Sequence, residues 1–274
     1  METAFYETDL CPDPELPLLL HNCLIDNEVL PHWHTNIELL YIQEGEMVIS
    51  IDGQEYLALP GDIILINSNC LHTFKTITQT SRYRCLIIEE TFINQHQLDY
   101  TSVNFETKIN HSEILALYLR MMAEFDGYRT HYKTMLQGMC LEMISLLFRE
   151  LDYSPLPLSQ PVLSHSKVEL TKLGIDYISQ HYQHVILIDD ICLAIGVSKF
   201  HFCRIFKEVT ELTVNEFINH FRCTRAQVLL LKKDAVVADC ALACGFNDPS
   251  YFAKMYRKHF GYLPSVEIAR KQTT

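Results

Sequence analysis

The chain has 274 residues, 48% of them apolar, with 22 Lys+Arg against 34 Asp+Glu and a formal net charge of −12. That length and composition can bury a substantial core in one or two domains, and they exclude a low-complexity or disordered chain. No apolar run approaches the roughly 20 residues of a membrane span, and "LPLLLHNCLI" follows acidic residues rather than the positive flank of a secretory leader. The ten cysteines (11, 23, 70, 85, 140, 192, 203, 223, 240 and 244) include no C-x-x-C pair and sit singly in apolar runs. That usage fits small buried hydrophobes of a reducing compartment, so a cytoplasmic location is expected.

From residue 30 to 74, "LPHWHTNIELLYIQEGEMVISIDGQEYLALPGDIILINSNCLHTF" alternates short β-branched runs with D-G and P-G-D turns. This is the spacing of an antiparallel barrel or jelly roll. The segment resembles a small cupin domain, with His32, His34, Glu38 and Gly45 in a first motif and His72 in a second. On one strand with a period of two, residues 32, 34 and 38 would share a face, and His72 would approach from a neighbouring strand. Three imidazoles and a carboxylate are a competent donor set for a divalent Mn, Fe, Ni or Zn. The same residues equally line an effector pocket or satisfy one another without metal. Trp33 falls on the opposite face, where packing outside the barrel is expected.

"HSEILALYLRMMAEFDG" (111–127) and "HYKTMLQGMCLEMISLLFREL" (131–151) are apolar at helical spacing, an antiparallel pair that either covers the barrel or forms a dimer seam. Methionines 121, 122, 135, 139 and 143 suit both roles. "DYSPLPLSQPVLSH" (152–165), with three prolines and three serines, reads as a linker. The expected domains are therefore 1–152, a linker at 153–165, and 166–274.

From residue 165 onward, 14 Lys+Arg oppose 11 Asp+Glu, so a mildly basic tail follows a strongly acidic body. The tail contains a repeat. Asp190, Ala194 and Gly196 of 187–209 match Asp239, Ala243 and Gly245 of 236–260 at an offset of 49. Past the turn the offset is 50, pairing Phe202 with Phe252, Phe206 with Tyr256 and Lys207 with Arg257. Ser198 caps one second helix, and Asp248 followed by Pro249 caps the other. Each unit is a helix, a tight turn and a second helix, the helix-turn-helix arrangement. Between them, 213–233 has a helical period and about 30 Å of length, close to one turn of B-DNA. Phe202, Phe206, Phe252 and Tyr256 recur at i and i+4 and are expected in the core.

Residues 168–268 resemble the DNA-binding domain of AraC/XylS-type transcriptional regulators, through "GVSKFHFCRIFK", "RCTRAQVLLL" and "CGFNDPSYFAKMYRKHFGYLPS". The resemblance implies an α+β multidomain protein: a cupin-like antiparallel β-barrel with a helix pair at 111–151, then an all-α domain with two helix-turn-helix units. It implies DNA-binding positions at Ser198, Lys199, Phe200, Cys203 and Arg204 in the first unit and at Pro249, Ser250, Ala253 and Lys254 in the second. Lys207, Arg257 and Lys258 are placed for phosphates, and Arg222 and Arg225 for acids or backbone. The partners implied are double-stranded DNA, a small effector such as a sugar held at His32, His34, Glu38 and His72, a second copy of the chain and the transcription machinery, with no membrane. This is a regulator rather than an enzyme; a metal-dependent cupin enzyme with a DNA-binding tail, or a constitutive DNA-binding dimer, are the alternatives. Glu211 replaces the family's glycine after the first recognition helix, and Glu267 and Ile268 replace its Tyr-Arg pair, with Arg270 as a substitute.

Overall fold

A computed structural model describes residues 16–26, 28–156, 166–232 and 234–271. The chain divides into two compact units.

The first unit opens with eight strands: β1 (Leu18–Ile25), β2 (Glu28–His32), β3 (Ile37–Glu44), β4 (Met47–Ile51), β5 (Gln54–Ala58), β6 (Ile63–Ile66), β7 (His72–Thr76) and β8 (Ser81–Ile88). A short helix α1 (Glu90–Asn94), strands β9 (Val103–Phe105) and β10 (Lys108–Ile109), helices α2 (Ser112–Gly127) and α3 (Tyr132–Glu150), and strand β11 (Tyr153–Pro155) complete it. One sheet runs β1-β8-β3-β6-β10, a second runs β2-β7-β4-β5, and β9 and β11 form a small third. The D-G turn behaves as its chemistry demands, since Asp52 (φ 49°) and Gly53 (φ 84°) close a two-residue hairpin between β4 and β5.

Strands "IELLYI" and "IILI" have little polar alternation because both faces of their sheet are covered. Leu40, Ile42, Ile64 and Ile66 pack inward with Met47, Ile49 and Phe74. Ile37, Leu39, Ile63 and Leu65 pack outward against Leu117, Tyr118, Met121, Met143 and Leu147 of α2 and α3. Tyr118 fastens the layers by donating to the Arg84 carbonyl at 2.8 Å. The helix pair thus covers the sheet; methionines 121, 122, 139 and 143 are buried, and Met135 is exposed. The expected linker begins later than its composition suggested. Tyr153–Pro155 pairs antiparallel with β9, and the Tyr153 ring lies 5.7 and 5.5 Å from Phe105 and Phe148. Residues 157–165 lie outside the described set.

The second unit is helical: α4 (Lys167–His181), α5 (Ile188–Ile195), α6 (Lys199–Thr210), α7 (Val214–Leu230), α8 (Val237–Ala243), α9 (Pro249–Phe260) and α10 (Pro264–Lys271). Ser198 caps α6 by accepting from His201 N, and Asp248 caps α9 by accepting from Ser250 N. Thr213 and Glu216 form a reciprocal capping box on α7. At 17 residues, α7 is about 26 Å long, shorter than expected, because it stops at Leu230 rather than running on to Lys233. Gly196 (φ 72°) and Gly245 (φ 82°) take the same left-handed turn in the two units. Phe202, Phe206, Phe217, Phe221, Phe252 and Tyr256 are buried, as their spacing required.

After the recognition helices the units differ. Gly261 follows α9 at φ 78°, whereas Glu211 follows α6 at φ 61°. A side chain in this left-handed region costs about 1 kcal/mol. Glu211→Gly is accordingly expected to raise the urea midpoint of the helical unit by the equivalent of roughly 0.5–1 kcal/mol; an unchanged midpoint would show that Glu211 bears no strain.

Candidate functional site

The polar cluster of the strands forms without a single strand to carry it. His32 ends β2, His34 sits in the connection to β3, and Glu38 lies on β3, so the common strand face expected for 32, 34 and 38 is corrected. The two strands belong to different sheets, and the chain crossing between them delivers His34 between its neighbours. One ligand atom from each of His32, His34, Glu38 and His72 lies within 4.8 Å of the others. Glu38 Oε2 is 3.1 Å from His34 Nε2 and 3.2 Å from His72 Nε2.

Backbone carbonyls set the tautomers. His32 Nδ1 donates to Leu30 O, His34 Nδ1 to Asn36 O and His72 Nδ1 to Cys70 O, each at 2.8 Å. With the proton on Nδ1, a neutral ring presents a lone pair at Nε2. Two such lone pairs repel a carboxylate oxygen 3.1–3.2 Å away unless a proton or a metal ion stands among them. Burial works to raise the Glu38 pKa, but the hydrogen bonds and charges of His34 and His72 outweigh it and hold the carboxyl well below its usual range. Cys85, which no sequence motif marks, donates its thiol to Glu38 Oε1 at 3.0 Å. The signal that could have found it is the alternation of β8, where Tyr83, Cys85 and Ile87 all face the inner core. Trp33 is half-buried in the connection beside His34.

In the second unit, Ser198, Lys199, Phe200, Arg204 and Lys207 are exposed along α6. Pro249, Ser250, Lys254, Arg257 and Lys258 are exposed along α9, while Cys203 and Ala253 are half-buried. Lys199 pairs with Asp189 at 2.9 Å and Lys258 with Glu216 at 3.6 Å. Arg204, Lys207, Lys254 and Arg257 form no ion pair among the described residues. Arg222 takes the structural role left open for it: Nε donates to Tyr182 O at 2.8 Å and a terminal nitrogen to His184 O at 2.6 Å. The Arg225 guanidinium lies 5.7 Å from the Tyr182 ring centroid. The Arg270 side chain lies outside the described residues.

A β-rich domain with a converging polar cluster, followed by twin helix-turn-helix units, defines a one-chain regulator that binds a ligand and DNA. Residues 17–138 match the AraC-like ligand binding domain, and residues 191–270 match a helix-turn-helix domain. The uncharacterized HTH-type transcriptional regulator YdeC of Bacillus subtilis (strain 168) is 23% identical over 264 residues, 91% of each chain. The HTH-type transcriptional activator RhaS of Escherichia coli O81 (strain ED1a) is 20% identical over 274 residues, covering 96% of this chain and 95% of its own. ToxT from Vibrio cholerae O395 shares the fold, with TM-score 0.52 at 12% identity over 94% of this chain and 99% of its own. The chain belongs to the AraC family of transcriptional regulators. It is a sequence-specific DNA-binding regulator controlled by a small effector in its cupin-like domain. Its relatives are regulators, not enzymes, and no helix among the described residues is long and apolar enough to cross a membrane.

Proposed function

We propose that α6 and α9 read DNA through Phe200, Arg204, Ser250 and Lys254, supported by Lys207 and Arg257 on phosphates. One observation carries this: the equivalent positions 204/254 and 207/257 are cationic in both units, exposed, and without ion pairs among the described residues. Cations not neutralised within the protein are the ones available to displace counterions from a duplex. Lys199 and Lys258 must first leave Asp189 and Glu216, so they contribute less. Ser198, Pro249, Cys203 and Ala253 shape the same surface through caps and close packing. The protein works in the cytoplasm as a homodimer, and exposed Leu119 and Met135 on the helix pair support a seam there. Effector binding shifts the population of chains able to engage both half-sites and the transcription machinery.

Selection of an operator from a randomised duplex pool, followed by anisotropy titrations over a range of salt, tests the reading. Arg204→Ala is expected to lose about 10–100-fold discrimination at one base pair. Lys207→Ala should weaken all sequences alike and reduce the salt slope by about one. Uniform weakening by both variants would remove the division between base and phosphate contacts.

We assign the effector seat to the largely buried polar cluster of His32, His34, Glu38 and His72. A small polar metabolite suits its donors and acceptors, and a sugar is the class to test first. The carbonyl-locked Nε2 atoms also fit a divalent transition metal, which would supply a Lewis-acidic point for an effector oxygen. Equilibrium dialysis against Co²⁺ is expected to give one ion per wild-type chain and none for His72→Ala. No ion bound by the wild type would leave the cluster as a proton-sharing effector seat.

A further inference from the structure

The two recognition helices have the same length and superpose in sequence at an offset of 50, cap on cap: Ser198 with Asp248, Phe202 with Phe252, Phe206 with Tyr256. Their exposed positions divide into two sets. Arg204/Lys254 and Lys207/Arg257 keep one chemistry, and on the preceding helices Leu193/Leu242 do so as well, both exposed. Phe200/Ser250 do not. A duplex presents the same sugar-phosphate backbone to both units but different base edges, so positions that keep their chemistry match the backbone or a base common to both half-sites, and those that diverge match a difference in sequence.

Phe200 is 82% exposed. It is the second residue of α6, two positions from the helix cap Ser198, and it makes no ring contact among the described residues. Its ring does nothing for the fold, and water solvates it poorly. On a major-groove edge the apolar group available to it is the C5-methyl of thymine; guanine, cytosine and adenine present donors and acceptors there. Arg204, one turn further along the same helix face, matches guanine O6 and N7. Four residues of helix rise about 6 Å, close to two base steps of about 3.4 Å.

We propose that Phe200 selects a thymine through its methyl group, within two base pairs of the guanine read by Arg204, and that Ser250 reads its half-site by hydrogen bonding instead. The operator is therefore two chemically different half-sites rather than a repeat of one. This rests on the DNA-reading assignment of α6 and α9.

The test uses the full-length protein and its selected operator. Each thymine is replaced singly by deoxyuridine, which removes the methyl and leaves base pairing intact. For the wild type, one position is expected to lose about fourfold in affinity, the worth of one buried methyl group. In Phe200→Ala that penalty should vanish, and in Phe200→Leu it should persist in part; each variant keeps its fold because the ring is exposed, as circular dichroism will check. Uracil tolerated at every position, or a penalty unchanged in Phe200→Ala, overturns the proposal while leaving the DNA-reading assignment intact. If no sequence is enriched in the selection, that assignment fails and this inference with it. A selected operator bound equally well by wild type and Phe200→Ala, methyl or no methyl, would leave the ring to a protein partner and equally overturn the proposal.

Discussion

Gly245→Ala is expected to cost about 3–5 kcal/mol and to abolish DNA binding. Gly245 stands at φ 82°, and a Cβ there would lie 2.3 Å from the carbonyl oxygen of Tyr182 and 3.0 Å from Arg222 Nε. These two groups are themselves bonded, Arg222 Nε donating to that oxygen at 2.8 Å. Relief of the clash therefore breaks the bond that joins the end of α4 to α7, and it strands a half-buried guanidinium. A steric clash, a lost charge-assisted hydrogen bond and left-handed strain together consume a large fraction of a typical stability of roughly 5–15 kcal/mol. Gly196 is the internal control, since it takes the same turn at φ 72° with nothing within 4 Å of its Cβ position. Gly196→Ala is expected to cost only about 1 kcal/mol. Urea unfolding followed by far-ultraviolet circular dichroism distinguishes the two; equal losses would show that the contact with Tyr182 and Arg222 is immaterial.

Acid is expected to loosen the helical unit beginning near pH 6.5. His220 on α7 and His259 on α9 stack with ring centroids 4.2 Å apart and planes 13° from parallel. His220 Nδ1 is buried with no hydrogen-bond partner among the described residues. Burial, then the charges of His259 and Lys258, bring the His220 pKa down to about 3. Burial and Lys258 bring His259 down to about 4, opposed in part by Glu216. The unfolded chain, with histidine pKa values near 6.5, binds protons that the folded chain refuses. Stability is thus full above about pH 6.5, falls as the pH drops through 6.5 toward 4 and 3, and levels off below both folded values. His220 alone accounts for about 2 kcal/mol between about pH 6.5 and about pH 5. His220→Phe keeps a stacked ring and removes the proton site, so the urea midpoint should then change less across this window. An identical slope in the variant would assign the acid sensitivity elsewhere.

Local chemistry was legible and convergence was not. Asp52-Gly53, Ser198, Asp248-Pro249 and the Gly196/Gly245 pair each announce a turn or a cap because one residue's conformational range decides the outcome. Glu211 could be read as a weak helix end for the same reason. The alternation of β8 places Cys85 in the inner core, but the partners of Arg222 and Cys85, Tyr182 and Glu38, lie 40 and 47 residues away, and no local pattern encodes which residues they meet. By spacing alone, His32, His34 and Glu38 fit one face of one strand. The H-x-H spacing hides a crossing between sheets, and only the fold shows that the residues meet across that crossing. Tyr153–Pro155 looked like linker because its proline and serine resemble one; the aromatic contacts of Tyr153 with Phe105 and Phe148 override composition.

The sheet β1-β8-β3-β6-β10 is apolar on both sides, with Leu40 and Ile64 on its inner face and Leu39, Leu65 and Leu86 beneath the helix pair. A fragment ending at residue 110 would keep every strand of both large sheets yet leave a broad aliphatic plate in water, where like plates adhere. Such a fragment is a precipitate in the making, and the smallest ligand-binding piece that stays dispersed has to carry α2 and α3 with it.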